Sequence, residues 1–424
     1  MTPITDPAAH VAERYARVAE RPEAWIELRP EAEVAEELAE VLAREAAGEE
    51  LPLAGALFAV KGNIDVAGLA TTAACPAFGY EPEQDATTVA RLRAAGAVVL
   101  GVTNLDQFAT GLVGSRSPYG AVRHASDPTR ISGGSSSGSS VAVALGIADF
   151  ALGTDTAGSG RVPAAFHGLY GVKPTKGWVS AAGVVPACRS LDVVTVMAAD
   201  LDLAEQALSV MSGADARDPL SRTGSAADFA TAPRIGVPLP GQLGELAPGW
   251  AEAFDAETAR WAAAGAELVP VDITVLLEVA LMLYDGAFVA ERYAAVGAFV
   301  DAHPDEVDPT VGGIIARSKD LPAWRLLQDQ ERLDVAAVTA RALFAELDAL
   351  LLPTTVEHPT LEAVAAEPVA VNSRLGRFTN FANLLDLAAL AYPAGLVEGL
   401  PFGVQLVAPA FTDHQLIDLV RNRA

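Results

Sequence analysis

ISGGSSSGSSVAVALGIADFALGTDTAGSGRVP, residues Ile131 to Pro163, decides how the rest of the chain is read. Ser135 to Ser137 stand between Gly134 and Gly138, and Ser159 stands between Gly158 and Gly160. Glycines on both sides let a backbone bend sharply and approach a ligand closely. A flexible Gly/Ser linker has a similar composition, but Val141 to Ile147 and Phe150 to Leu152 are apolar runs that a solvated linker does not carry. They read as a buried helix and a buried strand, and the two serine loops are expected to face one site.

Such loops serve phosphate binding or nucleophilic catalysis. Phosphate cradling wants GxxxxGK[ST], or GxGxxG directly after a strand, and neither occurs here. A serine nucleophile is favoured. GSSSG, Gly134 to Gly138, also fits the GxSxG elbow of α/β-hydrolases with Ser136 at its centre, but that elbow follows a buried strand. Here Asp127-Pro128-Thr129-Arg130 precedes it and reads as a turn.

The stretch resembles the signature of the amidase signature family, hydrolases that use two serines and a lysine. In that family a GGSS segment supplies a bridging serine with a cis peptide bond, and a TD-x-x-G-S segment supplies the nucleophile. The resemblance maps these roles onto Ser135 and Ser159. The family's lysine lies in an apolar strand ending K-x-x-x-D/E, matched here by Phe58-Ala59-Val60-Lys61-Gly62-Asn63-Ile64-Asp65. The fold implied is α/β: one large mixed β-sheet covered by helices on both faces.

Lys61 is informative by its residue type as well. Of 29 basic residues only Lys61, Lys173, Lys176 and Lys319 are lysines, so a lysine in an apolar run is unusual for this chain. A desolvated lysine can lose its proton near neutrality and act as a base, which arginine cannot. A lysine snorkelling from a strand end is the plain alternative. In the implied mechanism neutral Lys61 takes the proton of Ser135, which takes that of Ser159 as it attacks a carbonyl carbon. The backbone amides of Thr156, Ala157, Gly158 and Ser159 are the expected oxyanion donors. Asp155 and Arg161 are expected to brace the loop rather than react.

The substrate reading rests on further resemblance. Thr103 to Gly120, Gly153 to Ala164, Val184 to Asp192 and Asn372 to Leu390 look like allophanate hydrolases, as do Ala157 and Gly160 beside the nucleophile. This implies that Tyr284 and Arg292 of LYDGAFVAERYAAV, together with Gly111, bind the substrate. Allophanate is N-carboxylated urea, a small anionic amide. Arg292 can hold its carboxylate in a bidentate fork while the Tyr284 phenol donates a hydrogen bond. On one continuous helix their eight-residue spacing corresponds to about 80° of rotation. The plain alternative pairs Arg292 with Glu291 or Asp285 and leaves Tyr284 in the core. A broader amidase and the amidase subunit of a tRNA-dependent amidotransferase are the competing hydrolase readings; a nucleotide-binding protein is the competing non-hydrolase.

Composition narrows the classes. With 51% hydrophobic and 20% charged residues, the 424-residue chain has ample material for a core. A net charge of −25 argues against a nucleic-acid surface. The six histidines and two cysteines, Cys75 and Cys188, show no metal-ligand spacing, so neither metal nor cofactor is expected. There is no secretory signal and no run of about 20 apolar residues, so a cytoplasmic, non-membrane protein is expected, with assembly up to a homodimer left open. Allophanate hydrolases commonly carry a second, smaller domain. Because the chain ends at Ala424 after its closing helix, residues 1–424 are expected to form a single amidase domain without it.

In chain order, residues 1–50 are a helical lead-in around an extended piece at Trp25-Ile26. Leu57 to Val60 and Ala97 to Val102 read as strands, and Asp85 to Ala95 as a helix. Gly171 to Lys176 and Gly177 to Pro186 are Gly-punctuated and are expected to pack beneath the site. Asp200 to Met211 reads as a helix and Ser212 to Ala232 as a linker. Strands at Arg234 to Pro238 and Leu268 to Val271 follow, flanking a helix from Pro248 to Ala264. Thr274 to Val300 reads as helical throughout, then helix Trp324 to Ala349, strand Leu350 to Leu352, helix Asn380 to Ala389, strand Phe402 to Val407 and helix Asp413 to Arg423.

Overall fold

In the computed structural model, which describes residues 4–226 and 228–423, the lead-in forms helices α1 (Pro7–Ala16) and α2 (Glu31–Ala46) on either side of strand β1 (Trp25–Leu28). The expected strands and helices near the serine loops follow: β2 (Leu57–Lys61), α3 (Thr87–Ala94), β3 (Val98–Thr103), α4 (Ser137–Ala144), β4 (Phe150–Asp155) and α5 (Arg161–Phe166). The remaining strands are β5 (Tyr170–Lys173), β6 (Val193–Ala198), β7 (Arg234–Pro238), β8 (Glu267–Val271), β9 (Ala349–Pro353), β10 (Leu387–Val397) and β11 (Leu400–Pro409). All belong to one sheet in the order β1-β3-β2-β4-β6-β5-β10-β11-β9-β7-β8. The sheet is mixed: β2 runs parallel to β3 and β4, whereas β4 and β6 are antiparallel.

Alternation along the strands shows that both faces are covered. In β2, Phe58 and Val60 enter one buried cluster while Leu57 and Ala59 enter another on the opposite face, as a period of two requires. The Phe58 and Phe150 rings stack at 5.1 Å across neighbouring strands. Burying each such side chain contributes about 1.5–3 kcal/mol. Lys61 closes this fully buried strand, so it is delivered to the site by the same packing that makes the core. Among the described residues no helix is long and apolar enough to cross a membrane.

Four expectations need correction. Leu387 to Ala389 belong to β10, not to a helix: the helix stops at Leu384, and the Ala- and Leu-rich run pairs with β5 and β11. Ladder pairing and burial on both faces override helix propensity there. Gly171 to Lys173, expected only to pack beneath the site, belong to β5, a member of the sheet between β6 and β10. Residues 212–226, expected as part of a linker, are tied down by side-chain contacts: Asp215 accepts from Thr87 and Ser180, and Arg222 pairs with Asp386 at 2.8 Å. Finally, the segment from Thr274 breaks at Gly286 into helix Thr274–Asp285, a 3-10 turn Ala287–Val289 and helix Ala290–Ala302. Gly286 is extended, and a Cβ there would stand 2.4 Å from the Met282 carbonyl oxygen.

Candidate active site

β2, the loop before α4 and the loop between β4 and α5 converge at one place. Lys61 Nζ lies 2.7 Å from Ser135 Oγ and 2.7 Å from Thr154 Oγ1. The Gly134-Ser135 peptide is cis, as the resemblance implied. The two serine loops are tied by the Ser136 amide, which donates to the Ser159 carbonyl at 3.3 Å. Close approach explains Gly134, where a Cβ would stand 2.2 Å from Asp106 Oδ2. Gly158 adopts φ +118°, where an L side chain is strained, and its Cβ would meet Thr379 Oγ1 at 2.3 Å.

The electrostatics suit a base. Lys61 is fully buried, and burial lowers its pKa to about 7, against the raising influence of Asp106, Asp192 and Asp155. Burial alone would raise Asp155, but Arg161 prevails and holds its carboxyl below the ordinary range. That pair is bidentate, at 2.9 and 3.0 Å, with both side chains fully buried. Arg161 also reaches Gln405, Asn383 and the Thr379 carbonyl. The bracing role expected of Asp155 and Arg161 is therefore what they display.

Ser159 Oγ donates to the Gly111 carbonyl at 3.3 Å. This places Gly111 against Ser159. The expected set of four amides is reduced: Gly158 N–H is committed to Asp155 Oδ1 at 2.8 Å. The amides of Thr156, Ala157 and Ser159 have no acceptor among the described residues. Ser136, centre of the alternative elbow, is buried against β4: its hydroxyl donates to the Thr154 carbonyl at 3.2 Å and accepts from the Thr154 amide at 3.3 Å. Among the described residues no histidine is hydrogen-bonded to it.

Tyr284 and Arg292 lie on separate helices, so the continuous-helix reasoning fails, yet the break at Gly286 folds them together. Arg292 Nη2 donates to the Tyr284 hydroxyl at 3.3 Å, and its guanidinium carbon sits 5.3 Å from that ring's centroid. Arg292 Nη1 donates to Thr110 Oγ1 at 2.8 Å, and its Nε has no partner. Glu291, offered as its surface partner, instead accepts from the amide and hydroxyl of Ser190. Arg292 is 1% exposed and, among the described residues, pairs with no carboxylate.

Sequence reasoning missed Thr154, Asp106, Thr110 and Asp192. Asp106 accepts from the amides of Val113, Gly114 and Arg116 and so shapes the Gly111 loop. Asp192 bonds the Thr156 hydroxyl at 2.5 Å, and burial pushes its pKa up to about 6. All four fall inside segments singled out by resemblance, but nothing in their residue types distinguished them from ordinary polar groups.

A family profile described as Amidase matches residues 9–417. The chain belongs to the amidase family. Among relatives, the urea amidolyase of Saccharomyces cerevisiae is 46% identical over 386 residues, covering 88% of this chain and 21% of that protein. The A subunit of the glutamyl-tRNA(Gln) amidotransferase of Symbiobacterium thermophilum is 36% identical over 412 residues, covering 89% of this chain and 84% of that one. Within the amidase family, the allophanate hydrolase structure from Kluyveromyces lactis superposes with a TM-score of 0.92 at 43% identity, covering 98% of this chain and 70% of that one. This chain thus spans about a fifth of the length of the urea amidolyases it matches.

Proposed function

We propose that this chain hydrolyses allophanate, releasing ammonia, with Ser159 as nucleophile, Ser135 as proton relay and Lys61 as base. Ser159 Oγ turns from the Gly111 carbonyl toward Ser135 and attacks the terminal amide carbon. Its proton passes through Ser135 to Lys61 and then to the leaving nitrogen, which departs as ammonia and leaves an acyl-enzyme. Water, activated by the same groups, breaks the ester and restores Ser159. The amides of Thr156, Ala157 and Ser159 stabilise the tetrahedral oxyanion.

The observation that carries the substrate reading is Arg292. The chain has 54 acidic residues against 29 basic ones, yet this buried guanidinium pairs with none of those described. A buried charge without a counterion is costly, and a carboxylate-bearing substrate supplies one. The competing amidotransferase reading has the longer match to whole relatives, but the identity is lower, 36% against 46%.

The test measures ammonia release from allophanate, from its neutral isostere biuret and from glutamine. A clear preference for allophanate is expected. Equal turnover of allophanate and biuret would make the protein a general amidase, and preferential glutamine cleavage would favour the amidotransferase reading.

A further inference from the structure

The residue between the anion-binding arginine and the nucleophile is Thr110. Its hydroxyl accepts from Arg292 Nη1 at 2.8 Å and donates to the Phe108 carbonyl at 3.1 Å, so its single proton and an oxygen lone pair are both used. Its amide donates to the Gln107 carbonyl, and its own carbonyl accepts from Arg116 Nη1 at 2.9 Å. The next residue, Gly111, offers the carbonyl that holds Ser159 Oγ. Phe108 and Ala109 both adopt left-handed backbone, φ 51° and 52°, so the loop is held in this shape by its contacts rather than by local preference. One peptide unit therefore connects the groups that bind the two ends of a short substrate.

We propose that Thr110 is a positioning residue that sets the separation between the Arg292 guanidinium and Ser159, and thereby selects amides whose carboxylate stands at the allophanate distance. The inference rests on the allophanate reading. Thr110 acts on the substrate through Arg292: without its hydroxyl the guanidinium loses the contact that fixes one of its two terminal nitrogens, and the carboxylate is no longer presented in register with the nucleophile.

The experiment compares kcat/KM for allophanate and biuret in wild type, Thr110→Val, Thr110→Ser and Arg292→Gln, with thermal melting of each. Valine keeps the branched shape without the hydroxyl. Loss of a hydrogen bond to a charged group predicts that Thr110→Val lowers the allophanate-to-biuret ratio about tenfold or more. Thr110→Ser should restore most of it. Should Thr110→Val fail to fold, Thr110→Ala is read on the same ratio. A purely structural role would reduce both substrates alike and leave the ratio unchanged, which overturns the proposal. If Arg292→Gln abolishes the preference while Thr110→Val keeps it, this inference alone fails. If wild type shows no preference, the allophanate reading fails and takes this one with it.

Discussion

Lys61 Nζ and Ser135 Oγ lie 2.7 Å apart although 74 residues separate them in the chain. One arrives at the end of a buried strand, the other at the turn into α4, and neither reaches water. The contact is useful only while the amine is neutral. With its pKa lowered to about 7 by burial, Lys61 is protonated below that pH and cannot accept from Ser135. Activity should therefore rise with pH, about tenfold per unit on the acid side, and level off above about 7. A pH–kcat/KM profile checks this; a limb flat down to about pH 5.5 would remove Lys61 from the role. Lys61→Arg, permanently charged, should be inactive at every pH.

Ser159→Ala should abolish turnover and leave melting nearly unchanged, because its hydroxyl makes one long hydrogen bond, 3.3 Å to Gly111. Ser136→Ala should do the reverse. Its hydroxyl serves both backbone groups of Thr154, so the variant should lose about 1–2 kcal/mol of stability in chemical denaturation and keep substantial activity. An inactive Ser136→Ala beside an active Ser159→Ala would restore the α/β-hydrolase elbow.

Breaking the pair of Asp155 and Arg161 leaves one uncompensated charge among Thr379, Asn383 and Gln405. Asp155→Ala or Arg161→Ala should cost about 3–5 kcal/mol by denaturant unfolding. Activity should fall as well, since Asp155 also holds the amides of Gly158 and Gly160 on either side of Ser159. A loss below about 1 kcal/mol would show that the pair does not organise the loop.

Arg292→Gln should lower kcat/KM for allophanate by about ten- to a hundredfold, the range for a lost charge-assisted hydrogen bond. Biuret should be affected much less. Arg292→Lys should recover little, because a point charge cannot reproduce contacts to Thr110 and Tyr284 together with a bidentate carboxylate. Equal losses on both substrates would reassign the arginine to folding.

The serine loops and Lys61 were legible because they combine residue types rarely found together: glycine and serine beside apolar runs, and lysine where the chain otherwise uses arginine. β10 was not legible, since Leu387 to Ala391 carry the propensity of a helix and become a strand only through β5 and β11. Gly286 was visible in the sequence, but a lone glycine in an apolar helical pattern is usually tolerated. What decides the break is contact with the Met282 carbonyl and Asp329, whose carboxylate takes the following amide at 2.8 Å. Arg292 and Tyr284, read as members of one helix, thus sit on two, and the break brings their side chains into contact. Thr110 was not singled out because its residue type says nothing of the contact with Arg292 on which its proposed role rests.

With Lys61 and Ser135 at 0% exposure, Arg292 at 1% and Ser159 at 2%, only the half-buried Tyr284 of this group stands toward the surface. Under the proposed mechanism both the amide and the hydrolytic water have to reach Ser159 through this enclosure, so access is a step common to acylation and deacylation.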